Sequence, residues 1–369
     1  MAKRIMNEQQ IIDVIWGATL LGGGGGGSMK NGMDLLEKYK QDHPSTPLEI
    51  TVYDYKEMEP DAYAAVTAGM GAPTAIKDVD FSAYATNAFE ALQDMAAKMD
   101  PPKRLKYSMA VEMGGFNTFV PMMISLVNQI PFIDGDGAGR AVPALDTLLL
   151  HVNGCNTSPL AMADCNNNRL TIEMADPRNA GLAEEIGRHI CMAFNMLSGL
   201  SGWMVKGEDF EKRIVDGSVT LAEKIGHVLR NCAEQGGDVF AILGEKGIVE
   251  CKKIAEGEVI AAENIMEKGF DYGKVVIEGD DETTIYFQNE NLLVNKKGKP
   301  LITVPDIICT YDLASGVPLT NADIKKGMKI AVGAIKVNEK WYINPNMFDV
   351  WKPFLKRVGY TGGNIPFMK

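Results

Sequence analysis

Four stretches in the first 140 residues carry strand-like patterning, the last three with ends rich in glycine or acid, and helix-like stretches lie between these later ones. Leu48, Ile50 and Val52 alternate as in a strand. Ala64–Ala68 is a small apolar run that stops at Gly69-Met70-Gly71, Leu105–Val111 runs into Glu112 and Gly114-Gly115, and Ile130–Ile133 ends at Asp134. Phe81–Met99 and Asn117–Gln129 carry helical patterning. This alternation predicts an α/β fold, a sheet with parallel neighbours covered on both faces. Ligands of open α/β sheets bind beyond the carboxyl ends of the strands. The glycine and acid turns are therefore expected to converge there.

The first helix begins with a capping-box pattern, Asn7 and Gln10, and continues through Ile11, Val14, Ile15 and Ala18. Gly22–Gly27, six consecutive glycines, must end it, since glycine reaches positive φ without steric cost. They follow a helix instead of a strand, and no Gly-Lys-Ser/Thr comes after them, a context that contradicts both the P-loop and the dinucleotide fingerprint. The main readings are a loop that only ends the helix and one whose backbone at Gly23, Gly24, Gly25 and Gly26 holds a substrate, with nucleotide binding a minor third.

Past His151 the patterning changes. Asp176-Pro177 can open a helix from about 178 to 197, and Thr220 with Glu223 forms a capping box for a helix to about Glu234. Either could pack on the first domain. From about Gly247, short β segments at 275–277, 284–287, 292–294, 301–304, 307–310, 329–337 and 341–343 predict a small barrel or sandwich. The expected organisation is a three-layer α/β domain over 1–168 and a C-terminal domain over 169–369, helical at 178–235 and β-rich after that.

A formal charge of −11 and the lack of any basic run argue against nucleic acid, which demands a basic face. Asp13 interrupts the apolar run Ile11–Leu21, and no run reaches the roughly 18 apolar residues of a membrane span. Six dispersed cysteines without a Cys-x-x-Cys pair fit reduced thiols, so a cytoplasmic protein is expected. A homo-oligomer is a separate expectation.

Asp134-Gly135-Asp136-Gly137-Ala138-Gly139-Arg140 is the most informative segment. Two carboxylates one glycine apart can divide acid-base work or converge on a divalent cation, zinc or magnesium. The third acidic ligand and the distal Glu of an EF-hand are missing. Glu112-Met113-Gly114-Gly115-Phe116-Asn117 puts a carboxylate and a carboxamide around a glycine pair, with Asn117 either an N-cap or a site residue. His151, Cys155, Asp164 and Cys165 match no zinc spacing and are expected to be buried or locally bonded.

Taken together, Leu21–Ser28, Met70–Thr74, Glu112–Asn117 and Pro131–Pro143 resemble the S-methyl-thiohydantoin desulfurase family. Ser158–Ala161, Val304–Ile308 and Gly359-Tyr360 extend the likeness over nearly the whole chain. The resemblance implies a three-layer α/β unit, a β-rich C-terminal unit, and association with hydantoinase or oxoprolinase enzymes. Ser28-Met29-Lys30 stands where the family has Asp-Pro-Tyr, and Ala144 where it has Glu. The implied reaction replaces ring sulfur by oxygen through activated water on a small cyclic amide or thioamide. In that scheme Asp134 or Asp136 is the base, with or without a bound metal, and Glu112 handles the proton on the leaving group. Arg140, Asn117 and the amides of Gly23–Gly26 hold the ring. The alternative is a non-catalytic subunit or ligand-sensing partner of a hydantoinase or oxoprolinase.

Overall fold

The computed structural model describes residues 3–71, 79, 81–267 and 270–367. Its first unit begins with β1 (Arg4–Met6), α1 (Glu8–Leu21), α2 (Met29–Asp42), β2 (Ile50–Tyr53), β3 (Ala62–Gly71), α3 (Ser82–Ala97), β4 (Arg104–Ala110), α4 (Phe119–Asn128) and β5 (Phe132–Asp136). It continues through α5 (Leu149–Val152), β6 (Leu160–Ala163), β7 (Arg169–Ile172), α6 (Ala180–Ala193), β8 (Leu197–Val205), α7 (Gly207–Lys212), β9 (Val215–Asp216), α8 (Ser218–Gln235) and α9 (Val239–Glu245). The strands form one sheet in the order β1-β2-β5-β4-β3-β8-β6-β7, with β9 on β5. The central strands β2, β5, β4 and β3 are parallel, so their carboxyl ends share one edge.

Both faces of this sheet are covered, which explains the near-continuous small apolar run of β3. Ala64, Val66, Ala68 and Met70 face one core, and Ala65 faces the other. One core gathers α1 to α4 and α8, the other α5, α6 and a C-terminal segment carrying Trp341 and Trp351. The helices α1 and α8 meet at glycines: a Cβ on Gly17 would lie 1.8 Å from the Ala222 carbonyl oxygen, and one on Gly226 1.8 Å from that of Asp13.

Helix α1 starts as expected, with both capping-box bonds between Asn7 and Gln10 formed. Helix α8 does not. Its Thr220 binds Asp134, and Glu223 reaches Arg4 and Gln10, so the Thr220–Glu223 capping box is replaced by tertiary contacts. Asn179, not Asp176, caps α6, which stops at Ala193 because β8 begins at Leu197. Strands β8 and β9 and helix α8 pack into the first unit, carrying it past residue 168.

The second unit is an eight-stranded antiparallel sheet: β10 (Cys251–Glu267), β11 (Phe270–Glu278), β12 (Thr283–Gln288), β13 (Glu290–Lys296), β14 (Lys299–Thr303), β15 (Ile307–Asp312), β16 (Pro318–Leu319) and β17 (Lys329–Ile335). Though β13 and β15 are far apart in that order, the Asn291 Nδ2 donates to the Ile308 carbonyl at 2.9 Å, so the sheet curls over its own core. Residues 341–343 form no strand. Glu339–Tyr342 is a 3-10 turn capped by Asn338, and Trp341 is buried against Trp351 with its indole N–H on the Ala138 carbonyl. Among the described residues, no helix is long and apolar enough to cross a membrane.

Candidate functional site

A cavity of about 1030 Å³ opens where the carboxyl edge of the parallel strands meets the second sheet. Its walls include Ala68–Gly71 from the end of β3, Val111 and Glu112 beyond β4, Gly24–Gly27, Asn117, and Asn289, Glu290 and Asn321 from the second unit. Two of the expected turns, after β3 and after β4, thus converge with the glycine loop. Of the resembling stretch 70–74, residues 72–74 lie outside the described residues.

The glycine loop is held rather than free. Gly23, Gly24, Gly26 and Gly27 all have positive φ. The Gly23 and Gly24 carbonyls accept from the backbone amides of Asn291 and Asn321 at 2.8 and 2.9 Å, and the Gly26 carbonyl accepts from that of Asn117 at 3.1 Å. A Cβ on Gly24 would meet the Asn321 Nδ2 at 2.5 Å, one on Gly25 the Glu290 Oε1 at 2.0 Å, and one on Gly26 the Gly114 Cα at 2.6 Å. Side chains are excluded because at each of these positions the Cβ would point into packed protein. Gly24–Gly26 face the cavity, while Gly23 lies beneath it, against Ile307 and Arg140.

Glu112 is buried in the cavity floor. Its Oε1 accepts from Asn117 Nδ2 at 2.7 Å and its Oε2 from the Val142 amide at 2.8 Å. Desolvation nevertheless outweighs these bonds and raises its pKa to about 7. Glu290, from the second unit, is raised well above the ordinary carboxyl value, first by burial and then by the charge of Glu112; Arg140 and the Gly26 amide oppose this. Its Oε2 is buried without a hydrogen-bond partner. Sequence reasoning missed Glu290. The signal available was Asn289-Glu290-Asn291, a polar triplet at the head of an apolar strand.

The Asp134–Arg140 segment sits below the floor and none of its candidates lines the cavity, while the chain just beyond it, Val142–Leu145, does. Both Asp134 oxygens bind Thr220, one its amide at 2.9 Å and the other its hydroxyl at 2.5 Å. Asp136 closes its own turn by accepting the Ala138 and Gly139 amides at 2.9 and 2.7 Å through Oδ2. Its other oxygen is buried, and desolvation, opposed by the Ser218 hydroxyl and the Gly139 and Ala138 amides, raises its pKa to about 7. Arg140 donates to the carbonyls of Ala141, Pro305 and Asp306 at 2.8, 2.7 and 3.0 Å, and its guanidinium carbon lies 5.0 Å from the Trp351 ring. It is fully buried, and desolvation lowers its pKa to about 10. Arg140 therefore ties the two units together.

A divalent cation at Asp134 and Asp136 does not fit these side chains: Asp134 has both oxygens on Thr220, and a lone Asp136 oxygen is no ligand set. Among the described residues, no group of three or more His, Cys, Asp or Glu is arranged to hold a metal ion. Asp164 accepts from the Asn166 and Asn168 amides and so closes its own turn; Cys155 is buried and Cys165 exposed.

A sheet-bearing unit and a curled antiparallel sheet enclosing an acid-floored cavity define a two-domain α/β protein of the kind expected from the sequence. The chain belongs to the S-Me-THD-like family: residues 9–174 match the model of its N-terminal domain and residues 178–360 that of its C-terminal domain. An X-ray crystal structure of a protein from Chromobacterium violaceum shares the fold with a TM-score of 0.87 at 24% identity, covering 98% of this chain and 99% of that one. No curated protein matches the chain.

Proposed function

We propose that the protein is a hydrolase acting on a thiohydantoin, hydantoin or related small cyclic amide, replacing ring sulfur by oxygen. The observation that carries this reading is the pair Glu112 and Glu290, two buried carboxyls from different units at one glycine loop, each held above the ordinary carboxyl range by burial. Near neutral pH Glu112 is partly ionised and serves as the base. Glu290, whose Oε2 is left without a partner at the same loop, is assigned the acid role. Family membership supports the substrate class.

In this scheme Glu112 takes one proton from water as the water oxygen bonds to the ring carbon bearing sulfur. The carbon–sulfur bond then breaks and sulfur departs with the Glu290 proton. With an S-methyl ring, the second water proton passes from the added oxygen to the ring nitrogen as the carbonyl forms, and the products are the hydantoin and methanethiol. With a free thiocarbonyl, both water protons end on hydrogen sulfide. The proton held by Glu112 returns to Glu290, restoring the pair. Asp134, Asp136 and Arg140 support the floor.

Turnover in ¹⁸O water tests the reading: one heavy oxygen should enter the ring carbonyl, and Glu112→Gln should stop the exchange. Rings that bind without ever exchanging oxygen or losing sulfur would turn the reading to a ligand-sensing partner of a hydantoinase or oxoprolinase.

A further inference from the structure

The sheet of the first unit ends at β7, which among the described residues pairs on one side only, with β6. Three bonds fix the alternation of its backbone. The Asn168 and Ile172 carbonyls turn inward, accepting from the Asp164 amide at 3.2 Å and the Ser158 hydroxyl at 3.3 Å, and the Met174 amide donates inward to that same hydroxyl at 3.0 Å. Successive residues of a strand aim their backbone groups to opposite sides, so Arg169, Thr171 and Glu173 present theirs outward. Such a row of open N–H and C=O groups is a template for another strand.

Proteins commonly guard an edge of this kind with proline or charge. Here no proline stands before Pro177, and the two charges, Arg169 and Glu173, have opposite sign and lie equally far from Thr171. Laid antiparallel to itself about Thr171, the stretch Arg-Leu-Thr-Ile-Glu sets Arg169 opposite Glu173 of a second copy, Leu170 opposite its Ile172, and Thr171 opposite its Thr171. In that register the outward residues of both strands face one another, so each outward N–H meets a carbonyl. Opposite charges and Thr–Thr pairs are favourable across strands, and a slip of two residues would unpair both charges. Arg169 holds Glu90 at 2.5 Å, but its Nη1 stands 3.5 Å from Asp94, and a guanidinium has donors for a further carboxylate. Glu173 is exposed and forms no ion pair among the described residues. On the other face of the strand, Leu170 and Leu182 of α6 are each 42% exposed along one shallow groove.

We propose that two copies of this chain pair through β7, antiparallel about a two-fold axis at Thr171, so that one sheet runs through both. An isologous contact of this kind closes on itself and leaves no open edge at β7. It gives the homo-oligomer expected from the sequence a defined surface. It also backs α6 on the face opposite Glu184 and Arg188, which line the cavity.

Sedimentation equilibrium of the full chain over a range of concentrations, with hydrogen exchange of the 168–174 backbone, tests the contact. A dimer is expected, with the Thr171 amide exchanging more slowly at high protein concentration than at low. Thr171→Pro removes the N–H donated from each side of the axis, and Glu173→Arg turns two attractive pairs into repulsive ones. Each should weaken the dimer at least about 10-fold. Melting curves check that the variants fold, and the exposed Glu173→Arg carries the test if Thr171→Pro does not. A monomer at every concentration overturns the proposal. So does an oligomer whose β7 amides exchange freely, or one that persists undiminished in either folded variant.

Discussion

Asp134 grips Thr220 at both ends, accepting its backbone amide at 2.9 Å and its hydroxyl at 2.5 Å, and thereby anchors the first turn of α8 to the end of β5. A carboxylate at a helix N-terminus meets otherwise unpaired N–H groups and the favourable end of the helix dipole. Asp134→Ala should lower unfolding stability by about 2–3 kcal/mol, because two charge-assisted bonds vanish in a buried place. Denaturant midpoints measure this. Affinity for a cavity ligand should stay within about twofold, and a large loss of affinity at unchanged stability would show that Asp134 serves the cavity directly.

Glu112 and Asp136 both bind protons more tightly folded than unfolded, since burial raises each to about 7 from ordinary values of 4.5 and 3.8. The folded state then holds more protons between those limits, and stability must fall as pH rises through that window. Below about pH 4 neither group contributes a slope, and above about pH 7 the loss is complete. Glu112→Gln should flatten part of the slope of stability against pH between about 4.5 and 7. Activity runs the other way, rising as Glu112 ionises through about pH 7. A rate already flat across that range would remove Glu112 as the base.

Gly25 has no room for a side chain, because its Cβ would fall 2.0 Å from the Glu290 Oε1. Gly25→Ala must displace either the loop or Glu290. Turnover should fall at least about 100-fold, as expected when a catalytic group moves by an ångström or so. Gly25→Ala with wild-type turnover would mean that Glu290 does not act where it sits.

Arg140 holds three carbonyls across the junction of the two units, two of them on the Pro305-Asp306 turn. Arg140→Met should cost about 3–5 kcal/mol, since those buried acceptors lose a charged donor. A urea melt should show it. Arg140→Lys should recover only part, because a point charge cannot replace the planar fork.

The parallel strands were legible because each pairs an apolar run with a sharp glycine or acid stop, as at Gly69–Gly71 and Glu112–Gly115. Strand β8 was not, since Leu-Ser-Gly-Leu-Ser-Gly carries no alternation and its pairing with β3 and β6 is set by tertiary structure. Local capping rules read Asn7 correctly and Thr220 wrongly, because at Thr220 a distant carboxylate outcompetes Glu223. For the site, Glu112, Asn117 and Gly24–Gly26 could be read from turns at strand and helix ends. Asp134, Asp136 and Arg140 share residue types with a reactive loop, yet burial commits them to their neighbours. Glu290 and Asn321 meet that loop only when the second sheet folds against it, which no local pattern records.

Thiol or sulfide release from an S-methyl-thiohydantoin and a thiohydantoin, measured for the wild-type chain, Glu112→Gln and Glu290→Gln at pH 7, bears most directly on the acid-base pair. Stoichiometric release by the wild type, with a loss of at least about 100-fold in each variant, is expected if both carboxyls act on the ring. Wild-type release rates in both variants would contradict it.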